Sequence, residues 1–245
     1  MAVTGDFLRG RGRGRLTSEE VEVLEQAVDR IDTLPARTVV TRRGERVRES
    51  GLLIDGAMCR YLDARDGYRQ LLAFHLPGDF VDMHGYTLRH LDHDVATIVE
   101  SRVARVSHDT IDVIMDRHPR LGRMLWRSTL LDAAMHREWI FRLGRLDAAG
   151  RLAHFLCEVA ARMEAVGRVK DGVFALPLTQ QDIGEACGLT SVHVNRTLRR
   201  LREEGVADIA RGEARISDAK QLARIGEFNA DYLYLDDGPW ADIDD

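Results

Sequence analysis

The sequence predicts an α+β chain: an N-terminal antiparallel β-roll, one long helix and a C-terminal winged helix-turn-helix. Three observations predict it. Short period-two apolar runs separated by turn residues extend from Thr38 to Ser107. A helical pattern runs without a breaker from about Arg120 to Leu143. Residues 178–204 read as a capped helix, a glycine turn and a second, basic helix.

The chain has 245 residues, of which 44% are hydrophobic, enough for one large or two modest domains with a proper core. It contains no run of about 18 apolar residues, so no membrane span is expected. Met1–Arg15 lacks the apolar centre of a signal peptide. Cys59, Cys157 and Cys187 are odd in number and far apart, which reads as reduced thiols in a cytoplasmic protein. The net charge is −5, so any nucleic-acid partner must be engaged by local rather than average charge. Acid gathers in the tail, at Asp236, Asp237, Asp242, Asp244 and Asp245.

Along the chain, Arg9–Arg15 alternates Arg with Gly and reads as a flexible basic arm. Thr17 or Ser18 then opens a helix to about Arg30, with Val21, Leu24 and Val28 on one face. Thr38–Thr41, Leu52–Ile54, Ala57–Leu62, Tyr68–His75, Val95–Val99 and Arg102–Val106 read as strands. Asp66-Gly67 is a hairpin signal and Leu76–Asp79 a second turn. Ser107 or Asp109 caps a helix to Arg117, and Pro119 restarts the chain at the head of the long helix. There Leu121, Leu125, Ser128, Leu131, Met135 and Trp139 form a stripe whose spacing predicts a seam with a second copy. Arg151–Val166 is a further helix, Val173–Leu176 a short strand, and Gly144–Gly150 a hinge. The expected division is a roll over 17–118, a dimerisation helix over 119–146 and a winged helix-turn-helix over 147–235.

In the last of these, Thr179 caps the first helix and Asp182 sits three residues later, where a carboxylate suits the helix N-terminus. Ile183, Ala186 and Cys187 face inward; Gly188 supplies the turn, and Leu189 plugs the angle. Thr190 or Ser191 caps the second helix, in which Val194, Leu198 and Leu201 make the buried stripe. Its other face carries Ser191, Val192, His193, Asn195, Arg196, Arg199, Arg200 and Arg202. Such a helix fits the major groove of DNA. Arg196 suits guanine, whose O6 and N7 match its planar fork, and Arg199, Arg200 and Arg202 suit phosphates. Val206–Ile209 and Ala214–Ile216 flank a turn at Arg211-Gly212, which suggests a wing.

The phrase Leu-Thr-Gln-Gln-Asp-Ile-Gly followed by Gly-Leu-Thr-Ser-Val-His-Val-Asn-Arg-Thr-Leu resembles the winged helix of the Crp/Fnr superfamily of bacterial regulators. The resemblance implies that Ser191, Val192 and Arg196 approach bases; Asn195 is a candidate only by its place on the outer face of the helix, which leaves open whether it points into the groove or away. It places Thr179, Gln181, Thr190 and His193 near phosphates. Many relatives carry Glu where this chain has Val192, so the familiar family half-site is not expected here. The stretch Ser50-Gly-Leu-Leu-Ile-Asp-Gly, with Tyr61, Asp66-Gly and Leu76-Pro-Gly-Asp-Phe80, resembles the cyclic-nucleotide-binding roll of the same superfamily. Together these imply a homodimer on a double-stranded DNA operator, no enzymatic activity, RNA polymerase as a candidate further partner and a small-molecule effector of unknown identity.

Cyclic-nucleotide binders follow the Pro-Gly-Asp-Phe stretch with Gly-Glu, and later carry Arg-Ser or Arg-Thr for the cyclic phosphate. Here those places hold Asp82-Met83 and Asp92-His93, with Asp94 next and no Arg. Carboxylates there repel a phosphate, so cAMP and cGMP are not expected as ligands. No cysteine precedes Cys59, so the iron–sulfur set of some relatives is absent and no cofactor is expected. His75, His84, His90 and His93 lie close in sequence to Asp82, Asp92 and Asp94. They read first as a solvated loop. The alternative is a metal-binding β-roll enzyme, or a metal or redox sensor, using the His75–His93 region. A haem would need an axial histidine that the sequence does not single out.

Overall fold

The structure is a computed structural model and describes residues 2–236; the acidic tail beyond Asp236 lies outside the described residues. Contacts divide the chain into two units. One comprises the residues up to Leu62 with Leu71–Ala133; the other comprises Asp63–Gln70 with the residues from Ala134 onward.

In the first unit, α1 (Ser18–Gln26) precedes β1 (Arg30–Leu34), β2 (Val39–Thr41), β3 (Glu49–Asp55) and β4 (Met58–Asp63). Then come β5 (Arg69–His75), the short α2 (Gly85–Leu88), β6 (Asp94–Thr97), β7 (Ser101–Ser107) and α3 (His108–Arg117). One sheet has the order β1-β7-β3, with Leu52 opposite Ala104; the other has the order β2-β6-β4-β5. Successive strand residues point to opposite faces. Leu52 and Ala104 therefore pack with Leu24, Ile111, Leu121 and Leu125. Their neighbours Leu53 and Val103 pack with Met58, Val81, Leu91 and Val95. The β1-β7-β3 sheet is thus covered on both faces, by helices on one side and by residues of the other sheet on the other.

Several expectations change. The helix expected to reach Arg30 stops at Gln26, and β1 begins at Arg30 because Arg30–Leu34 finds a ladder along β7. The Arg-Gly leader is not a flexible arm. Phe7 and Leu8 are buried in the roll core, with the Phe7 ring edge-on to Phe80 at 5.5 Å. Glu25 accepts from the Val3 and Thr4 amides at 2.8 and 2.7 Å, and Arg11 pairs with Asp79 at 2.9 Å with both side chains buried. The His75–His93 stretch is not a solvated loop either, since His75 and His93 are buried and only His90 among its histidines is exposed.

The long helix, α4 (Pro119–Arg145), forms as expected, but the stripe expected to form a seam is not left bare. Leu121, Leu125 and Leu131 lie in the roll core and Trp139 is buried in the second unit, so the chain covers this stripe itself. The apolar side chains left bare on α4 are Trp126 (61% exposed), Leu130, Ile140 (73% exposed) and Phe141. Both stripes have helical spacing, and periodicity alone does not say which one its own chain covers.

The second unit holds α5 (Ala148–Ala165), β8 (Val173–Ala175), α6 (Gln180–Cys187), α7 (Ser191–Glu203), β9 (Ala207–Ala210), β10 (Glu213–Ile216) and α8 (Ala219–Gly226). Its sheet has the order β8-β10-β9. The helix α8 was not expected from sequence; it packs on α5 and is capped by Asp218, whose side chain accepts from the Gln221 amide. No described helix is long and apolar enough to cross a membrane.

The buried Arg11–Asp79 pair gives a test of the ordered leader. Arg11→Ala leaves a buried carboxylate without its cation, and we expect a loss of about 3 kcal/mol. Trypsin should then cut at Arg9–Arg15 in the variant while sparing the wild-type chain under native conditions. Urea melts and mass analysis of the digests check both, and equal cutting of the two proteins contradicts the packing described.

Candidate nucleic-acid interface

The first helix of the motif, α6, starts where the sequence places it. The Thr179 hydroxyl accepts from the Asp182 amide at 3.2 Å, and the Asp182 carboxylate accepts from the Thr179 amide at 2.8 Å, a reciprocal capping box. Gly188 takes φ 62° and ψ 40°, a left-handed conformation that glycine adopts cheaply. The Leu189 amide then donates to the Gly184 carbonyl at 2.9 Å. This fold-back explains Gly184, which the sequence reading passed over: a Cβ there would collide with the Leu189 carbonyl. Thr190 caps α7, accepting from the His193 amide at 3.3 Å.

Val194, Thr197, Leu198 and Leu201 are buried on α7, whereas Ser191, Val192, His193, Asn195, Arg196, Arg199, Arg200 and Arg202 are exposed on one continuous outer surface. Thr179, Gln181 and Thr190 are exposed as well. All nine expected contact residues therefore lie in solvent on the α6–α7 pair. Val192 is 76% exposed, an apolar tip on an otherwise polar surface. Three of the arginines already have acidic neighbours: Arg199 with Glu203 at 3.2 Å, Arg200 with Glu204 at 2.7 Å and Arg202 with Asp208 at 2.7 Å. Arg196 has no acidic partner among the described residues. The Thr190 hydroxyl is 3.1 Å from His193 Nδ1, and Gln181 Nε2 donates to Glu185 at 2.9 Å. The wing turn forms at Arg211 (φ 55°) and Gly212 (φ 80°), and β10 pairs with both β8 and β9.

Support for the motif comes from groups that the sequence did not disclose. Arg142 is 0% exposed; its guanidinium lies 4.2 Å from the Trp139 ring centroid and donates to the Ala186 carbonyl at 2.8 Å. Glu158 accepts from Trp139 Nε1 at 3.0 Å, from the Tyr232 hydroxyl at 3.0 Å and from Arg162 at 3.2 Å. Tyr68 and Gln70 group with this unit: the Tyr68 hydroxyl donates to the Gly184 carbonyl at 3.2 Å and Gln70 Nε2 to the Glu185 carbonyl at 2.7 Å. Arg142 and Glu158 are lone polar residues in apolar runs, and Tyr68 and Gln70 lie in a polar hairpin, so none carries a signal of its own in one sequence.

Residues 31–118 match the cyclic nucleotide-binding domain and residues 150–225 the Crp-like helix-turn-helix domain. The anaerobic regulatory protein of Haemophilus influenzae is 25% identical over 90% of this chain and 85% of its own. The transcriptional activator protein FnrL of Cereibacter sphaeroides is 30% identical over 78% of this chain and 77% of its own. The chain belongs to the Crp/Fnr family. The solved structure of FixK2 from Bradyrhizobium japonicum shares its fold, with a TM-score of 0.72 at 24% identity over 80% of this chain and 96% of that one. As a Crp/Fnr protein it is a DNA-binding transcription regulator and not an enzyme, which sets aside the β-roll enzyme considered above.

In the roll of this Crp/Fnr regulator, Asp82 is buried and its carboxylate accepts from the Gly51 amide at 2.7 Å, tying the chain after β5 to β3. Asp94 accepts from the Arg43 amide at 2.7 Å, and Asp92 is exposed beside His93 Nδ1 at 2.8 Å. Inside, Arg60 donates to the Val81 carbonyl and pairs with Asp132, each within 2.7 Å. Among the described residues no group of three or more His, Cys, Asp or Glu is arranged to hold a metal ion. All three cysteines are buried and none is in a disulfide among the described residues, and burial pushes the Cys187 thiol up to about 11.

Burial pushes the His75 imidazole down to about 4 and that of His84 to about 3, with the Arg60 charge adding to both. His154 falls to about 4 through burial and the Arg142 charge. Burial raises Asp82 to about 6. The unfolded histidines regain a pKa of about 6.5 and the unfolded aspartate about 3.9. The histidines therefore give full stability above about pH 6.5 that is lost as pH falls, because the unfolded chain takes up their protons. Asp82 acts the other way, releasing its proton on unfolding in the same window. Three gained against one released gives an expected uptake of about two protons on unfolding near pH 5 from these groups. Urea midpoints measured from pH 7.5 to 4.5 should fall throughout the lower half of that range, and a flat profile contradicts the neutral burial of these rings.

Proposed function

We propose that the chain acts as a homodimer that reads a two-half-site operator through α7. Ser191, Val192 and Arg196 contact bases, with Asn195 beside them, and Thr179, Gln181, Thr190, His193 and Arg199 contact phosphates. The observation that carries this reading is the exposed polar face of α7, on which Arg196 alone is free of an acidic partner among the described residues. A free guanidinium is available for guanine without first breaking an ion pair. Val192 offers a thymine methyl an apolar contact and gives cytosine N4 no acceptor.

Functionally the chain divides into a sensor roll over 17–118, a dimerisation helix over 119–146 and the DNA-binding region over 147–235. The dimer seam is the bare stripe Trp126, Leu130 and Ile140 of α4, a heptad-like spacing suited to pairing two helices. Two half-sites about one DNA turn apart then match the two-fold axis. The work takes place in the cytoplasm, with the bacterial DNA, and RNA polymerase is the partner through which a bound regulator acts. Cyclic nucleotides are not the input, since Asp82 is engaged with Gly51 and no arginine stands at Asp92-His93.

Selection of bound sites from random DNA defines the half-site. Arg196→Ala should then cost about 1–3 kcal/mol per half-site and relax the preference at one base pair. Unchanged affinity and preference in gel shifts would falsify the assignment. Leu130→Glu places a charge in the seam and should convert a dimer to monomers in sedimentation velocity at micromolar concentration. A wild-type chain that sediments as a monomer there removes the dimer.

A further inference from the structure

The first unit contains a cavity of about 630 Å³ between the α2 region and the first half of α4. Pockets of about 300–1,000 Å³ suit small organic ligands. Most of the wall is apolar: Met83, Met115, Leu125, Trp126 and the Tyr86 ring. The wall's hydroxyl groups are already engaged. Tyr86 donates to Asp112 at 2.5 Å, Thr129 to the Trp126 carbonyl at 2.7 Å and Thr87 to the His84 carbonyl at 3.2 Å.

One charged side chain lies on this wall. Arg123 is exposed and has no acidic partner among the described residues, and no carboxylate side chain lines the cavity. The wall is therefore apolar and cationic at Arg123. That combination repels cations and leaves an uncharged apolar molecule with nothing to offer Arg123.

We infer that this cavity binds an apolar organic anion, an aromatic or medium-chain aliphatic carboxylate. Its head pairs with Arg123 and its body lies against Met83, Met115, Leu125 and Trp126. Trp126 belongs both to this wall and to the bare stripe of α4, so an occupied cavity changes the side chain that faces the second copy. The inference rests on the regulator reading above, for which it supplies the class of effector.

The full chain is titrated with 2-naphthoate and with decanoate by isothermal calorimetry, with 2-naphthylmethanol as the uncharged counterpart. We expect saturable binding of at least one anion at one site per chain. Arg123→Gln should weaken that anion about 10-fold, the value of one charge-assisted hydrogen bond, and leave the alcohol unchanged. Thr87→Trp, a change at an exposed position of the rim, should block both. Neither variant alters a core residue, and circular dichroism confirms that each folds. No saturable binding of either anion overturns the inference, as does equal binding by wild type and Arg123→Gln. Operator binding is measured on the same preparations. A protein that binds its operator but neither anion overturns this inference alone, while one that binds an anion but no DNA overturns the regulator reading.

Discussion

The placement of the DNA-reading helices depends on a charge that has no access to water. Arg142 is wholly buried near the end of α4, stacked on Trp139 and 5.5 Å from the Phe155 ring centroid, with one hydrogen bond, to the Ala186 carbonyl. Its Nε and one terminal nitrogen have no partner. Burial of such a group opposes folding, and the ring faces and the carbonyl offset only part of that cost. The energetic disadvantage is a geometric advantage. The guanidinium is satisfied only when the α6 terminus sits at one distance from α4, and Glu158 imposes a similar demand by gathering Trp139, Tyr232 and Arg162. Apolar contacts tolerate sliding, whereas a buried cation with a single acceptor does not. The turn at Gly188 begins two residues beyond that acceptor, so α7 inherits its position.

The electrostatics of the outer face follow a different logic. With a net charge of −5 the chain as a whole does not attract DNA, so the field is local to α7. Three of its arginines are held by acids one helical turn away or on β9. Exposed pairs of this kind are worth about 0–1 kcal/mol, so a phosphate can displace the carboxylate at small cost. Their effect is to hold the guanidinium groups near the helix surface while damping non-specific attraction. Arg196 escapes this damping, and a planar guanidinium is the side-chain shape that can match guanine O6 and N7 together.

What the sequence discloses depends on how local the determinants are. The cap at Thr179, the glycine at 188, the plug at Leu189 and the Val194–Leu198–Leu201 stripe lie within 25 residues of one another, and each acts on its neighbours. The α6–α7 pair is accordingly found where the residues place it. The leader fails for the opposite reason: Arg-Gly alternation carries no apolar pattern, and its order comes from distant partners, Glu25, Asp79 and Phe80. The same holds for the histidines. Polar composition reads as a solvated loop, yet His75 and His93 are enclosed by strands and by the Arg60–Asp132 pair. On α4 the periodicity is correct and the inference from it is not, because two apolar stripes satisfy it and only packing says which one the chain covers.

That last distinction bears on how such a regulator is controlled. A helix whose inner stripe is fixed by its own core and whose outer stripe is bare can be adjusted only along their shared border. Trp126 occupies that border, half wall of a cavity and half bare surface. The interior of the roll offers no comparable freedom, since Asp82 is tied to Gly51 and Arg60 is neutralised by Asp132. An input that acts on α4 through this cavity meets the α2 side of the helix, where Arg123 has no acidic partner among the described residues. Position along the helix, rather than descent from a nucleotide-binding roll, decides which chemistry can reach Trp126.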